Sequence, residues 1–367
     1  MNILWLTWKD TENPLAGGAE VVSSQLAKRL VEDGHTVRFI TGGFAGAKTE
    51  IIKDGYQINR VGNRYTVYYK ASQYYKQNLQ GWADIVIDEV NTAPFFSPFY
   101  AKGKKILFFH QLCREIWFYQ IIFPVSIIGY LIEPIYLWLL RNNRVITISN
   151  STKLDLLKYG FKKDNIHIIS EGIELEPISD LNSITKFDTP TILSLGSIRA
   201  MKRTKDILQA YNLAKQSIPN LELIIAGDSN DPYGQEFLQE IQKSEYKKDI
   251  QYLGKVSKQK KIELMQKSHI ILVTSVKEGW GLIVTEANSQ GTSAIVYDVD
   301  GLRDSVKNKK TGYISEYNTP QSLAQSVQLA LQDKKQYDII RQNAWEWSKT
   351  ITFEQSYKDF NEVISQS

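Results

Sequence analysis

The sequence holds one cysteine, Cys113, in 367 residues. That excludes an internal disulfide framework and a multi-cysteine zinc site, and it fits a reducing compartment. Net charge is also small: 44 Lys and Arg against 40 Asp and Glu leave +4, so bulk electrostatics gives no argument for nucleic acid as a partner. Low-complexity tracts and solenoid repeats are missing. The opening MNILWLTWKD has neither a basic n-region nor a cleavable apolar run; it reads as a buried first strand, not a secretory signal. No GxGxxG fingerprint follows that strand, which lowers an oxidoreductase reading. A DxD-type carboxylate pair at a strand end is absent as well; DSND at 228–231 reads as a turn.

What is present is a rhythm. NILWLT, TVRFIT, ADIVIDE, KKILFFH and NRVITIS read as strands in the N-terminal half, and PTILSLG, LELIIAG, IQYLG, HIILVTS and SAIVYD in the C-terminal half. Helix-compatible sequence separates each from the next. EVVSSQLAKRLVEDG has apolar residues at helical spacing and stops at Gly34, a suitable C-cap. Strands alternating with helices imply parallel, doubly wound α/β sheets. Two such sets, at ordinary hydrophobic content, imply two Rossmann-like domains, residues 1–175 and 188–350. The polar stretch EGIELEPISDLNSITKFDTP lacks clear periodicity and reads as the linker.

Two segments depart from the rhythm. Ile116–Leu140 carries one charge, Glu133. Its length would allow a membrane span, but Pro124 and Pro134 interrupt it and strands lie on both sides, so it reads either as a pair of buried helices or as a partly exposed apolar surface. Asn63–Asn78 holds five tyrosines with Arg64, Lys70 and Lys76, a composition suited to an ordinary amphipathic helix or to a membrane interface.

The stretch EGWGLIVTE, 278–286, brackets a loop-to-helix junction with two glutamates. Eight helical residues rise about 12 Å, too far for a close acid/base pair. The carboxylates can instead grip two ends of an elongated ligand. Between them lies a helix N-terminus suited to phosphate, where Gly279 and Gly281 admit close backbone approach. A nucleotide sugar has that shape. The alternative is a solvated loop glutamate and a surface helix glutamate.

EGWGLIVTEANSQG, followed by YDVDGLRDSV and TGYI, resembles the donor-site signature of the retaining GT-B glycosyltransferases of family 4. PLAGGAEVVSSQLAKRLVEDGHTV, RVITISNSTKLDLLKYG, IHIISEGIE, LSLGSIRAMKRTKDILQAY and LIIAGDS are similar to further family segments, so the resemblance covers nearly the whole chain. It implies two Rossmann-like domains with a cleft between them, and a final helix, about 351–367, packed back on the first. It implies transfer of a hexose from a UDP- or GDP-sugar to a hydroxyl of a glycan or lipid-linked acceptor, in cell-surface polysaccharide or glycolipid synthesis. Configuration would be retained, with no essential metal and no cofactor, since the nucleotide sugar is a substrate.

By the same resemblance, Glu286 holds the ribose and Glu278 the donor sugar. Gly279, Trp280, Gly281, Leu282 and Ile283 touch sugar and phosphates. Lys202 neutralises the diphosphate, and Gly17 and Gly18 approach it from the first domain. Lys255 and Val256 lie where the base is contacted. His110 stands near the reacting centre on the acceptor side. His110, Lys202 and Glu278 are thus the catalytic candidates. The family's arginine after the glycine matching Gly196 is Ser197 here; Arg199, two further on, is a candidate replacement. Both atypical segments fall in the acceptor half, which points to a cytoplasmic protein with peripheral membrane contact through 63–78 and 116–140. A sugar-nucleotide epimerase on the same scaffold, and a non-catalytic partner of another transferase, are the alternatives.

Overall fold

A computed structural model describes residues 1–366. The chain divides into two units: Met1–Gly172 together with the segment from Thr352 onward, and Ile173–Ile351.

In the first unit β1 (Asn2–Leu6), β2 (Thr36–Thr41), β3 (Glu50–Lys53), β4 (Tyr56–Arg60), β5 (Ile85–Glu89), β6 (Lys104–Phe109), β7 (Arg144–Thr147) and β8 (Ile166–Ile168) form one sheet, ordered β3-β4-β2-β1-β5-β6-β7-β8. All neighbours are parallel except β3 and β4. The central strands are buried end to end, as at Ile3–Leu6 and Ile106–Phe109, because a doubly wound sheet is covered on both faces. Its helices are α1 (Gly18–Glu32), α2 (Val67–Tyr74), α3 (Trp117–Gln120), α4 (Val125–Leu140) and α5 (Asn150–Lys158).

The second unit has β9 (Thr191–Leu195), β10 (Glu222–Ala226), β11 (Ile250–Tyr252), β12 (Ile270–Val273), β13 (Ser293–Val296) and β14 (Gly312–Ile314), ordered β11-β10-β9-β12-β13-β14 and parallel throughout. Its helices are α6 (Thr204–Lys215), α7 (Pro232–Lys243), α8 (Lys258–Lys267), α9 (Leu282–Ser289), α10 (Pro320–Gln332) and α11 (Lys334–Ser348). The last helix, α12 (Phe353–Ser365), belongs to the first unit. Its Phe360 stacks on Trp5 at 5.7 Å, and Phe39 lies 5.2 Å from the same indole.

The structure corrects two expectations and decides between alternatives at two segments. Strands are not always separated by helices: β3 and β4 form a hairpin across Asp54–Gly55, a pair typical of tight turns, and only a 3₁₀ turn at Ser97–Phe99 lies between β5 and β6. The stretch 173–190 is no loose linker but a strap on the second unit. The Lys186 ammonium donates to the carbonyls of Ser268 and Gly291 and to Thr292 Oγ1, each at 2.7 Å, and burial pushes its pKa well below the usual lysine range. Asn63–Asn78 turns Val67, Ala71 and Tyr75 into the core and leaves Tyr65 and Tyr69 exposed, so most of it is an ordinary amphipathic helix. Finally, Ile116–Leu140 is not a pair of buried helices. Ser126, Glu133, Tyr136, Leu137 and Leu140 face inward, while the opposite face of α4 is open.

Candidate active site

In the second sheet β9 lies between β10 and β12. Strand order reverses there, and ligands of doubly wound folds bind at such a point, off the carboxyl ends of the strands. Two loops meet at it. After β9 come Gly196, Ser197, Arg199 and a 3₁₀ turn, Ala200–Lys202; after β12 come residues 274–281. Buried Thr274 ties them, its Oγ1 donating to the carbonyls of Lys202 at 2.8 Å and Arg203 at 3.1 Å, and Val276 N–H donates to Met201 O at 2.9 Å. This brings Lys202 and Glu278 together: the Lys202 ammonium and Ser275 Oγ both donate to Glu278 Oε1. Arg199 is exposed and opens the turn at its N-cap position.

Helix α9 starts at Gly281, whose φ is +97°. A Cβ there would be strained and would lie 2.7 Å from Leu302 Cδ2, so only glycine fits. No side chain caps this end, and although the Val284 N–H donates to Gly281 O at 2.8 Å, the first N–H groups and the partial positive charge are left for a ligand. Trp280 turns against Trp347, 6.3 Å between ring centres, and its buried indole N–H has no partner among the described residues. Leu282 and Ile283 are half-buried, and Ile283 packs in the same cluster as Val256. Lys255 beside it is exposed. Glu286 is engaged by Lys261 of α8 at 2.6 Å. Lys261 went unread because KQKKIELMQK presents several lysines and nothing in the spacing singles one out. Each acidic candidate therefore carries its own ammonium partner.

The first sheet reverses between β1 and β5. Gly17 and Gly18, both exposed, open α1 there. The Gly17 N–H donates to Glu20 Oε2 at 2.6 Å, and Lys9 lies 3.2 Å from the same oxygen. Glu89, at the end of β5, accepts from Trp5 Nε1 at 2.6 Å, Ser23 Oγ at 2.7 Å and Asn91 Nδ2 at 3.0 Å. His110, just beyond β6, has Nε2 3.4 Å from Glu89 Oε1, an ion-pair separation without an aligned hydrogen bond. Burial alone would depress the imidazole; the Glu89 carboxylate, with Glu171 and Glu20 beyond, overrides it and raises the His110 pKa. Burial opposes ionisation of Glu89 too, yet His110, Ser23 and Trp5 hold its pKa below the ordinary range. Glu171 has only Gly172 N–H, at 3.5 Å, and burial lifts its pKa to about 7. Glu20, Glu89 and Glu171 were missed in the sequence, where nothing in the spacing singles them out from apolar and glycine-bearing surroundings or from neighbouring acids. Among the described residues no group of three or more His, Cys, Asp or Glu side chains is placed to hold a metal ion.

Two family models divide the chain almost completely: Glycosyltransferase Family 4 matches residues 16–177 and Glycosyl transferases group 1 matches residues 181–347. The chain belongs to the group 1 glycosyltransferases. As such it is an enzyme of glycosyl transfer with the two-unit GT-B fold. Among curated relatives it is 23 % identical to N-acetyl-alpha-D-glucosaminyl L-malate synthase of Bacillus anthracis, over 96 % of this chain and 93 % of that protein. Among solved structures, sucrose-phosphate synthase from Thermosynechococcus elongatus aligns with a TM-score of 0.78 at 17 % identity, covering 100 % of this chain and 98 % of that one. Anabaena Alr3699/HepE in complex with UDP-glucose aligns at 0.75 and 16 % identity over 100 % of both chains. At these identities the structural likeness speaks for the glycosyltransferase fold alone.

Proposed function

We propose that this glycosyltransferase moves a hexose, with retention, from a UDP- or GDP-sugar to a hydroxyl of a glycan or lipid-linked acceptor. The reaction needs no metal ion and serves cell-surface polysaccharide or glycolipid synthesis on the cytoplasmic face of a membrane, which the protein contacts through 116–140. One observation carries the donor half: Lys202, Glu278, the uncapped start of α9, and Glu286 with Lys261 follow one another around the point where the second sheet reverses. A ligand with hydroxyls at both ends and a diphosphate between them matches that sequence of groups. The UDP-glucose bound by Anabaena HepE supports the donor class, and the name of the Bacillus relative, a glucosaminyl L-malate synthase, supports transfer of a sugar to an acceptor.

In this reaction the anomeric C1–O bond to the diphosphate breaks and a C1–O bond to the acceptor oxygen forms on the same face. The acceptor proton passes to the departing phosphate oxygen. Charge building on that phosphate is met by the Lys202 ammonium and the α9 N-terminus, which point at it before the reaction begins. Arg199 stands in for the arginine absent at Ser197. Glu278 accepts from donor-sugar hydroxyls, and Glu286 from the ribose. Lys255 and Val256 border the base. Gly17 and Gly18 admit the diphosphate to the start of α1. His110, its pKa raised by Glu89, orients sugar hydroxyls instead of acting as a full acid/base pair.

Proton NMR of the product of a sugar-donor incubation in chelator tests this. An α-linked product from an α-linked donor is expected. A changed donor ring without any acceptor product would favour an epimerase and overturn it.

A further inference from the structure

The stretch from α3 to α4 has an exposed side without polarity. Among the described side chains of 118–139, every exposed one is apolar or aromatic. Ile122 and Phe123, at the turn between the helices, are 83 % and 73 % exposed, and Leu131, Ile135 and Trp138 continue the surface along α4. Soluble monomers rarely show a contiguous apolar patch of this kind. The one acid in the stretch is consumed inward: Glu133 accepts from the N–H groups of Cys113 and Arg114 and from Trp117 Nε1, at 2.7–2.9 Å. The hairpin is closely packed. A Cβ on Gly129 would fall 2.3 Å from the Trp117 ring, so glycine alone lets α3 close on α4. The apolar tip is therefore held out by packing, not by a loose end.

A partner protein would meet a polar rim with matching hydrogen bonds. This wedge offers none. What borders it is basic: residues 141–165 hold six Lys and Arg against two Asp, a net of +4. Arg141 lies 4.1 Å over Trp138, and Asn165 Nδ2 donates to Asn142 O, which sets the lysine-bearing turn at 162–163 beside the end of α4. Aromatic residues and cations at the edge of an apolar face suit the headgroup layer. At 16 residues α4 is about 24 Å long, short of the roughly 30 Å hydrocarbon core, and no described helix is long and apolar enough to cross a membrane.

We infer that the α3–α4 hairpin is an in-plane anchor: it inserts Ile122 and Phe123 into the acyl boundary of an anionic bilayer, with Trp138 and the 141–165 cations at the headgroups. This deepens the proposed membrane contact and rests on the sugar-transfer reading only for why a bilayer matters. It assigns the contact to the apolar hairpin and not to 63–78, whose apolar residues are spent on the core. Insertion, not charge alone, supplies most of the affinity.

The test is flotation of the full chain with phosphatidylcholine vesicles, with and without phosphatidylglycerol, for wild type and Ile122→Glu/Phe123→Glu. Both positions are exposed, so thermal melting and nucleotide binding should match wild type; that also separates failure here from failure of the donor site. Wild type should float with both vesicle types, more strongly with the anionic one. The double variant should lose about tenfold or more in lipid partitioning, and high salt should weaken wild type by less. Wild type staying at the bottom, equal flotation of the variant, or full release by salt would overturn the proposal. So would a wild-type dimer, seen by light scattering, that the double variant dissolves while neither floats.

Discussion

Lys202 and Glu171 show how differently two ionisable side chains sit in this protein. Lys202 is half-exposed and paired with Glu278, so its loss should leave the fold intact. Lys202→Ala is expected to lower kcat/KM by about two to three orders of magnitude, the scale found when one charge-stabilising group is removed from a site, while the melting temperature moves by no more than a few degrees. Steady-state kinetics beside a thermal melt checks it; equal losses in both would make Lys202 structural. Glu171 is the reverse case. Its folded pKa, about 7, lies above the ordinary carboxyl value, so the folded state holds its proton longer than the unfolded chain. The associated stability is full below about 4.5 and is lost as pH rises through about 7. His110, also raised, acts in the same direction above its own unfolded value. Glu171→Gln cannot ionise. Its melting temperature relative to wild type should therefore climb between pH 5 and 8, and a constant difference across that range would contradict the buried, under-bonded carboxylate.

At the scale of elements, the start of α9 is the feature with most at stake. Gly281→Ala places a Cβ against Leu302 at a backbone angle that alanine avoids. A loss of about 1–3 kcal/mol of stability is expected, together with weaker nucleotide binding, both measurable in one thermal-shift series with and without ligand. This element was legible in the sequence, since EGWGLIVTEANSQG carries its glycine start, its apolar face and its glycine stop. The long central strands were legible for a similar reason: runs such as KKILFF and HIILV are apolar throughout because both sheet faces are covered. Short edge strands other than β11 were not. β3, β8 and β14 span three or four residues each, too few for a period to register. Nor could the sequence say which way Glu133 faces: inward, it anchors a hairpin; outward, it would have broken the apolar face. Lys186 in the strap and Glu89 beside His110 were invisible for the same reason, because partners distant along the chain decide their role.

Taken whole, the molecule is two sheets, parallel but for the β3–β4 hairpin, each reversing its strand order once at a point lined by charged side chains. In the first unit these are Lys9, Glu20, Glu89 and His110; in the second they are Lys202, Glu278, Lys261 and Glu286. The second set lies by an uncapped helix start and the first set includes a buried imidazole, which is why we propose the second unit as the donor's seat. Calorimetric titration with UDP, GDP and ADP in chelator, for wild type and Glu286→Ala, tests that central claim most directly. Expected is metal-free binding of one diphosphate by wild type, about tenfold or more weaker in the variant, the scale of one lost charged hydrogen bond. Binding of none of the three, binding only when a divalent ion is restored, or an unchanged affinity in Glu286→Ala would contradict it.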